Sequence, residues 1–173
     1  TIRECFEQSS NIAFAMMADD AFKDKPTEFI DYLKSTICLP LELDIKGTQS
    51  PYLNDPRVNK NQKHTWSKLS VPWIAYGQEV LLPPINVLMF YNAIANDGVM
   101  VKPQFVKEIR SGNEVIKKFE TVVLNDSIAS PKTIATMQSL LRGVVENGTA
   151  KRLNKCAFPI AGKTGTAQIK GSS

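Results

Sequence analysis

The chain has 173 residues, of which 43% are hydrophobic and 22% charged, values typical of a globular domain that buries one core. This composition excludes disordered, collagen-like and disulfide-framework proteins. The net charge of +4 arises from lysines and arginines spread along the chain rather than grouped in a stripe, so nucleic acid is not an expected partner.

Cysteine and histidine are too few and too scattered to predict a metal site or a cofactor. Cys5, Cys38 and Cys156 lack Cys-x-x-Cys spacing, and we interpret them as three separate buried residues. His64 is the single histidine, so a zinc site has little to be built from. We therefore expect no metal and no cofactor.

The first third of the chain predicts three helices. One covers residues 1–8, and the sequence Ser-Ser-Asn at residues 9–11 favours an N-cap for a second helix over residues 12–22. A third covers residues 26–35, because it begins with proline and continues with apolar residues at helical spacing. Residues 46–68 are polar and without periodicity, which predicts a long exposed loop.

A helix over residues 85–95 is predicted to lie in the core, because it is apolar nearly all round. Asn96, Asp97 and Gly98 end it, with glycine suited to the left-handed conformation. At about a dozen residues it is too short to span a membrane, and the chain has no apolar run of about 18 residues elsewhere.

The second half of the chain predicts a hairpin, a helix and a strand. Residues 105–110 and 114–118 alternate around a glycine turn, as the arms of a hairpin do. A helix capped by serine and proline covers residues 130–147, and a strand covers residues 160–168. We therefore expect an α+β fold that is mainly helical, with a short hairpin and one active-site strand.

The final strand carries side chains suited to chemistry. Strand geometry puts Lys163 and Gly165 on one face and Thr164 and Thr166 on the other. Taken alone, these residues also fit a surface strand with a solvated lysine. A Ser-x-Asn element at residues 9–11, far upstream, favours an active-site strand, because the two elements occur in the order that penicillin-recognising serine enzymes require.

Five short elements follow one another in the order of a known family. They are Ser9 with Asn11, residues 75–78 (Ala-Tyr-Gly-Gln), 96–98 (Asn-Asp-Gly), 147–150 (Asn-Gly-Thr-Ala) and 163–167 (Lys-Thr-Gly-Thr-Ala). With these elements the chain resembles the transpeptidase domain of a class B penicillin-binding protein, most closely the division-specific type that cross-links septal peptidoglycan. The resemblance implies acyl transfer from a stem peptide ending in D-Ala-D-Ala, through an acyl-serine intermediate, to an amine of a second stem peptide. It also implies binding of β-lactam antibiotics.

The resemblance assigns catalytic roles to three residues. Lys163 puts a positive charge near the nucleophile and the substrate carboxylate, where exclusion of water strengthens its effect. The hydroxyl of Ser9 can donate and accept at once, so it can relay a proton between Lys163 and the leaving amine. Asn11 offers an amide donor to a substrate carbonyl.

Three further residues are implied to bind the substrate. Thr166 offers a backbone N–H to the oxyanion and a hydroxyl to the terminal carboxylate. Gly165 lets a peptide lie against the strand, because a side chain there would hold the peptide backbone away. Thr164 lies on the opposite face, where substrate contact and simple packing both remain possible roles.

One departure from the family pattern limits what the chain alone can do. The family's nucleophile is a serine in a Ser-x-x-Lys element upstream of Ser-x-Asn, and no serine here is followed three residues later by lysine. Since Thr1 is not an initiator methionine, we expect a partial transpeptidase domain over residues 1–173, without the nucleophile element and the downstream strands. We expect such a chain to be inactive and to form no covalent adduct with penicillin. We also expect its terminal strand to fray or to pair with a second molecule.

Two other functions stay open. A β-lactamase or β-lactam sensor relative would hydrolyse the acyl-serine or retain it rather than transfer it, and a non-catalytic scaffold of the division machinery would form none. The resemblance places the parent protein in the cell envelope, at the extracytoplasmic face of the inner membrane. Its anchor would lie outside this chain, and its partners would include stem peptides and cell-division membrane proteins.

Overall fold

The structure is a computed structural model that describes residues 1–43, 45, 47–58 and 66–166. The α-helices are α1 (Ile2–Glu7), α2 (Asn11–Phe22), α3 (Pro26–Ser35), α4 (Ser70–Ala75), α5 (Pro84–Ala95) and α6 (Pro131–Glu146), and a 3-10 helix follows at Lys151–Lys155. The strands are β1 (Tyr52–Leu53), β2 (Val80–Leu81), β3 (Met100–Val101), β4 (Glu108–Ser111), β5 (Glu114–Lys118) and β6 (Val123–Asn125). Within the described ranges, no helix is long and apolar enough to cross a membrane.

The strands form three separate antiparallel pairs, β1 with β2, β3 with β6 and β4 with β5. The β4–β5 pair is the predicted hairpin, and Gly112 in its turn has a φ of +59°, which glycine adopts without strain. The helices and this hairpin confirm the predicted α+β class, mainly helical with little sheet.

The hydrophobic core lies between α5, β3 and α6. Its buried members are Met89, Ala93, Ile94, Met100, Ile128, Ile134 and Leu141. Burial of one such large side chain contributes about 1.5–3 kcal/mol. This core makes α6 a fixed support for the segments that pack on it.

Helix α5 is buried on one side rather than all round, which corrects the prediction of a helix enclosed by the core. Its face towards α6 and β3 is covered, whereas Leu88 is 64% exposed. The buried side also holds a polar residue, Asn86, whose amide donates to the carbonyls of Ile37 at 3.1 Å and Leu39 at 2.7 Å. An apolar sequence therefore does not reveal which side a neighbouring element covers.

The predicted exposed loop over residues 46–68 is wrong in its middle part. Strand β1 lies there, and Asn54 and Asp55 directly after it are buried. A polar side chain can be buried when its hydrogen bonds are satisfied, and hydrophobicity patterns do not detect this arrangement. Residues 59–65, which include His64, lie outside the described residues.

The buried carboxylate of Asp55 is held by two cationic side chains. Arg57 donates to both of its oxygens at 2.9 Å, and Lys34 Nζ donates to Oδ2 at 2.5 Å. The Arg57 hydrogen bonds hold the pKa of the Asp55 carboxyl well below its usual range, against the opposing effect of burial, and Lys34 adds to this lowering. Asp55 thus joins α3 to the segment after β1.

We expect Asp55→Asn to lower the free energy of unfolding by about 2 kcal/mol at pH 7, within the range for hydrogen bonds to charged groups. The pKa of Asp55 is lower in the folded than in the unfolded state. Its stabilisation is therefore complete above the unfolded-state pKa of about 4 and is lost as the pH falls through the folded-state pKa. Urea unfolding at pH 7 and pH 3 measures the free energies of unfolding of wild type and Asp55→Asn. The difference between the two proteins should be smaller at pH 3.

The matched control is Asp31→Asn, which removes an exposed carboxylate that also binds Arg57. An exposed ion pair contributes about 0.2–1 kcal/mol, so this variant should be affected less than Asp55→Asn. An Asp55→Asn effect of equal size at both pH values would contradict the titration argument.

The three cysteines differ in burial, so the prediction that all are buried holds only for Cys38. Cys38 is buried, Cys5 is half-buried and Cys156 is exposed. Burial raises the pKa of the Cys38 thiol to about 11. In the part of the chain that the structure describes, no group of three or more His, Cys, Asp or Glu residues is placed to hold a metal ion.

Candidate active site

Lys163 and Ser9 are 154 residues apart in sequence and in direct contact in the structure. The Lys163 ammonium donates to Ser9 Oγ at 2.5 Å and to the carbonyl of Thr164 at 3.1 Å. Burial lowers the pKa of Lys163, because a partly desolvated ammonium is less favoured than one in water. The amine therefore gives up its proton more readily than a solvated lysine does.

Ser9 is held in an unusual conformation at the end of α1. Its N–H donates to the carbonyl of Phe6 at 3.1 Å, and the N–H of Ser10 donates to that of Cys5 at 2.9 Å. This hydrogen-bond pair is a Schellman motif, whose left-handed position is usually glycine. Ser9 occupies that position with a φ of +55°. The site thus keeps a hydroxyl where the backbone alone favours glycine.

The next residue, Ser10, provides the helix cap that the sequence predicted for residues 9–11. Its Oγ accepts from the N–H of Ala13 at 3.3 Å, and α2 begins at Asn11. Because Ser10 is the cap, Ser9 Oγ is available to Lys163. Asn11 is exposed in the first turn of α2, next to this pair in sequence.

The segment that carries Lys163 is attached to the C-terminal half of α6. Arg142 Nη1 donates to the carbonyl of Ile160 at 2.9 Å, and the N–H of Gly162 donates to the carbonyl of Leu141 at 3.1 Å. Within the described range, residues 160–166 form no β-strand, so that part of the prediction is wrong. The predicted positions 167 and 168 lie outside the described residues.

Helix α1 lies so close to α6 that a side chain at Gly143, inside α6, or at Gly148, just past its end, would meet Glu7. Only at Gly148 is the obstacle backbone, so only that position requires glycine. A Cβ atom on Gly143 would overlap the carboxylate of Glu7, and one on Gly148 would overlap the Glu7 carbonyl. The N–H of Thr149 donates to that same carbonyl at 3.1 Å. Helix α6 therefore holds both parts of the site, Ser9 through α1 and Lys163 through the segment before it.

The contacts between α1 and α6 are functional features that sequence reasoning missed. Glu7 is buried, with Arg3 Nη1 at 3.5 Å from its Oε1. The signal in the sequence for this close contact between α1 and α6 was weak. An isolated glycine inside a helical pattern, such as Gly143, is compatible with several explanations. Gly148 was noted only as part of a matched element.

The three predicted substrate-binding residues follow Lys163 and are exposed. The hydroxyls of Thr164 and Thr149 are 2.6 Å apart, so Thr164 faces the end of α6. A Cβ atom on Gly165 would meet nothing within 4 Å, so no described residue requires glycine there. Thr166 is the last residue of the described range.

Two further matched elements also end helices. Gly77 has a φ of +97° and donates to the carbonyl of Ile74 at 3.0 Å, directly after α4. Gly98 has a φ of +93° and donates to the carbonyl of Ala93 at 2.8 Å, three residues after the end of α5. The positive φ explains why both positions are glycine.

The fold is that of peptidoglycan transpeptidase domains. The D,D-transpeptidase domain of a peptidoglycan glycosyltransferase from Eggerthella lenta superposes with a TM-score of 0.71 at 25% identity, over 98% of this chain and 42% of that chain. Penicillin-binding protein 3 of Mycobacterium tuberculosis, whose structure was solved with ampicillin, superposes with a TM-score of 0.65 at 22% identity, over 84% of this chain and 30% of that chain.

The sequence agrees with this fold. The family model described as penicillin binding protein transpeptidase domain matches residues 1–173, so the chain belongs to that family. Penicillin-binding protein PbpB of Mycolicibacterium smegmatis is 28% identical over 171 residues, which cover 94% of this chain and 25% of that protein. The predicted resemblance to a class B transpeptidase domain is confirmed. The chain spans about a quarter of the length of the curated relatives it matches.

Proposed function

We propose that residues 1–173 are part of the transpeptidase domain of a peptidoglycan D,D-transpeptidase, which cross-links stem peptides and binds penicillin. The observation that carries this proposal is the 2.5 Å contact between Lys163 Nζ and Ser9 Oγ. The nucleophile is then a serine of a Ser-x-x-Lys element outside these residues. The D,D-transpeptidase and ampicillin-complex structures of the same fold support this assignment.

The Ser9–Lys163 pair suits the proton transfers of acyl transfer. The nucleophilic serine gives its hydroxyl proton to the lysine of its own Ser-x-x-Lys element and attacks the carbonyl carbon of the scissile peptide, the C–N bond breaks, and the acyl group stays on that serine. The leaving amine takes a proton from Ser9 Oγ, and Ser9 recovers one from Lys163. A hydroxyl can donate and accept at once, and the lowered pKa of Lys163 favours this transfer.

Three exposed residues are assigned to the substrate. Asn11 donates its amide to a substrate carbonyl, and Thr166 offers its N–H to the oxyanion and its hydroxyl to the terminal carboxylate. Gly165 leaves space for a peptide backbone, because a Cβ atom there would meet no described atom within 4 Å. The Thr164 hydroxyl is engaged with Thr149, which favours a supporting role over direct substrate contact.

The same proposal gives the full-length protein a place in the cell. We assign it to the cell envelope, with its transpeptidase domain on the extracytoplasmic face of the inner membrane and its anchor outside residues 1–173. Stem peptides are its substrates, β-lactams acylate it, and division membrane proteins are its partners. The match to the division-specific type supports this assignment.

Intact-protein mass measurement with penicillin tests the proposal. The full-length protein should gain one covalently bound penicillin and keep it after the free antibiotic is removed, because a transpeptidase acyl-enzyme hydrolyses slowly. Residues 1–173 expressed alone should gain no mass, because the nucleophile is absent. Rapid loss of the adduct would indicate a β-lactamase instead. A full-length protein that gains no mass would indicate a scaffold, and a stoichiometric gain on residues 1–173 would contradict the assignment of the nucleophile.

A further inference from the structure

We propose that Thr149 is a positioning residue that fixes Lys163 relative to Ser9. Its backbone is hydrogen-bonded to the segment that carries Ser9, and its side chain is hydrogen-bonded to the segment that carries Lys163. Thr149 thus bridges the two segments. The bridge is a feature of the fold. Its consequence for acylation rests on the proposed function.

The two bonds of Thr149 lead to opposite halves of the site. Its N–H donates to the carbonyl of Glu7, two residues before Ser9, at 3.1 Å. Its hydroxyl lies 2.6 Å from that of Thr164, the residue after Lys163. One residue therefore contacts both chain segments whose side chains meet in the Lys163–Ser9 hydrogen bond.

The backbone on both sides of Lys163 is held by hydrogen bonds to residues of α6 and just after it. On the N-terminal side, the Gly162 N–H is bonded to the carbonyl of Leu141. On the C-terminal side, the Thr149 hydroxyl holds Thr164. Ordering a lysine side chain costs up to about 2 kcal/mol of rotamer entropy, so a backbone fixed on both sides makes the productive position easier to reach.

Thr149 is itself well placed to act as a fixed point. Gly148 beside it is buried against the Glu7 carbonyl, which fixes the backbone at the end of α6. Threonine is also β-branched and restricted at χ1, so its hydroxyl loses little freedom when the bond forms. A residue that merely ended the helix would need the backbone bond but not the hydroxyl.

The test compares two variants of the full-length protein. Thr149→Val keeps the shape and the N–H but removes the hydroxyl, whereas Thr149→Ser keeps the hydroxyl. We expect acylation by a fluorescent penicillin to slow by about tenfold in Thr149→Val, near the upper end for one hydrogen bond, and by less than about twofold in Thr149→Ser. Urea unfolding of the two variants should give free energies of unfolding that differ by no more than about 1.5 kcal/mol, the contribution of one hydrogen bond, so both variants stay folded in the labelling assay.

A second measurement reports on Lys163 without relying on activity. The pH dependence of Lys163 acetylation by acetic anhydride, followed by mass spectrometry, should shift towards that of a solvated lysine in Thr149→Val and stay at the wild-type value in Thr149→Ser. If wild-type protein is not labelled by penicillin, the proposed function fails while this comparison still tests the bridge.

A double-mutant cycle with Thr164→Val gives the remaining control. Because both single changes remove the same hydrogen bond, the double variant should be no slower than the slower single variant. The proposal would be overturned if Thr149→Val were acylated at the wild-type rate and its Lys163 reacted as in wild type. It would also be overturned if the losses of acylation rate in Thr149→Val and Thr164→Val were strictly additive in the double variant. A Thr149→Ser variant as slow as Thr149→Val would show that the hydroxyl is not responsible and would overturn it as well.

Discussion

Replacing Lys163 with alanine is expected to slow acylation of the full-length protein by penicillin by about 10³-fold or more, without unfolding it. The change removes the positive charge beside the reacting groups, together with the proton source for Ser9. Loss of one electrostatic donor or of one acid–base group typically costs about 10²–10⁴-fold each. Labelling by a fluorescent penicillin gives the rate, and circular dichroism tests the fold.

The matched variants for Lys163 separate charge from proton transfer. Lys163→Arg keeps a positive charge, but its guanidinium does not release a proton at ordinary pH. We expect it to remain well below the wild-type rate if Lys163 supplies a proton to Ser9. Lys132→Ala removes an exposed lysine of α6 and should leave labelling unchanged. Normal labelling of a folded Lys163→Ala variant would contradict the assigned role.

The contact between Lys163 and Ser9 illustrates what could be predicted from the sequence. Both residues stand in short elements whose order is that of the family, and the order alone predicted that they share a site. The structure brings them within hydrogen-bond distance. Local signals also predicted α3 and the β4–β5 hairpin, because proline at a helix start and alternation around a glycine are properties of a few adjacent residues.

The features that were missed depend on residues distant in sequence. A strand at residues 160–166 was predicted from its composition, but a strand exists only when a second one pairs with it, and no described strand pairs with these residues. Burial of Asp55 likewise depends on Lys34, which lies 21 residues earlier. The bridging role of Thr149 requires Glu7 at the opposite end of the chain.

The left-handed conformation of Ser9 was also not predictable, and it gives a prediction in which two substitutions differ in stability. Ser9→Ala keeps a Cβ atom in the left-handed region and loses the hydrogen bond to Lys163, so the free energy of unfolding should be unchanged or lower. Ser9→Gly removes the Cβ atom, which costs about 1–2 kcal/mol there, and should be more stable than Ser9→Ala by about 1 kcal/mol. Urea unfolding of both variants measures this difference.

Acylation should respond differently from stability, because both variants lack the hydroxyl. We expect Ser9→Ala and Ser9→Gly to slow labelling by penicillin by about 10²-fold or more, the range for a lost acid–base group. The more stable variant would then be as inactive as the less stable one, as expected if the strained conformation is retained to present a hydroxyl to Lys163. If the acylation rate fell by less than threefold, the role of Ser9 would be limited to ending α1. Equal free energies of unfolding for the two variants would contradict backbone strain at this position.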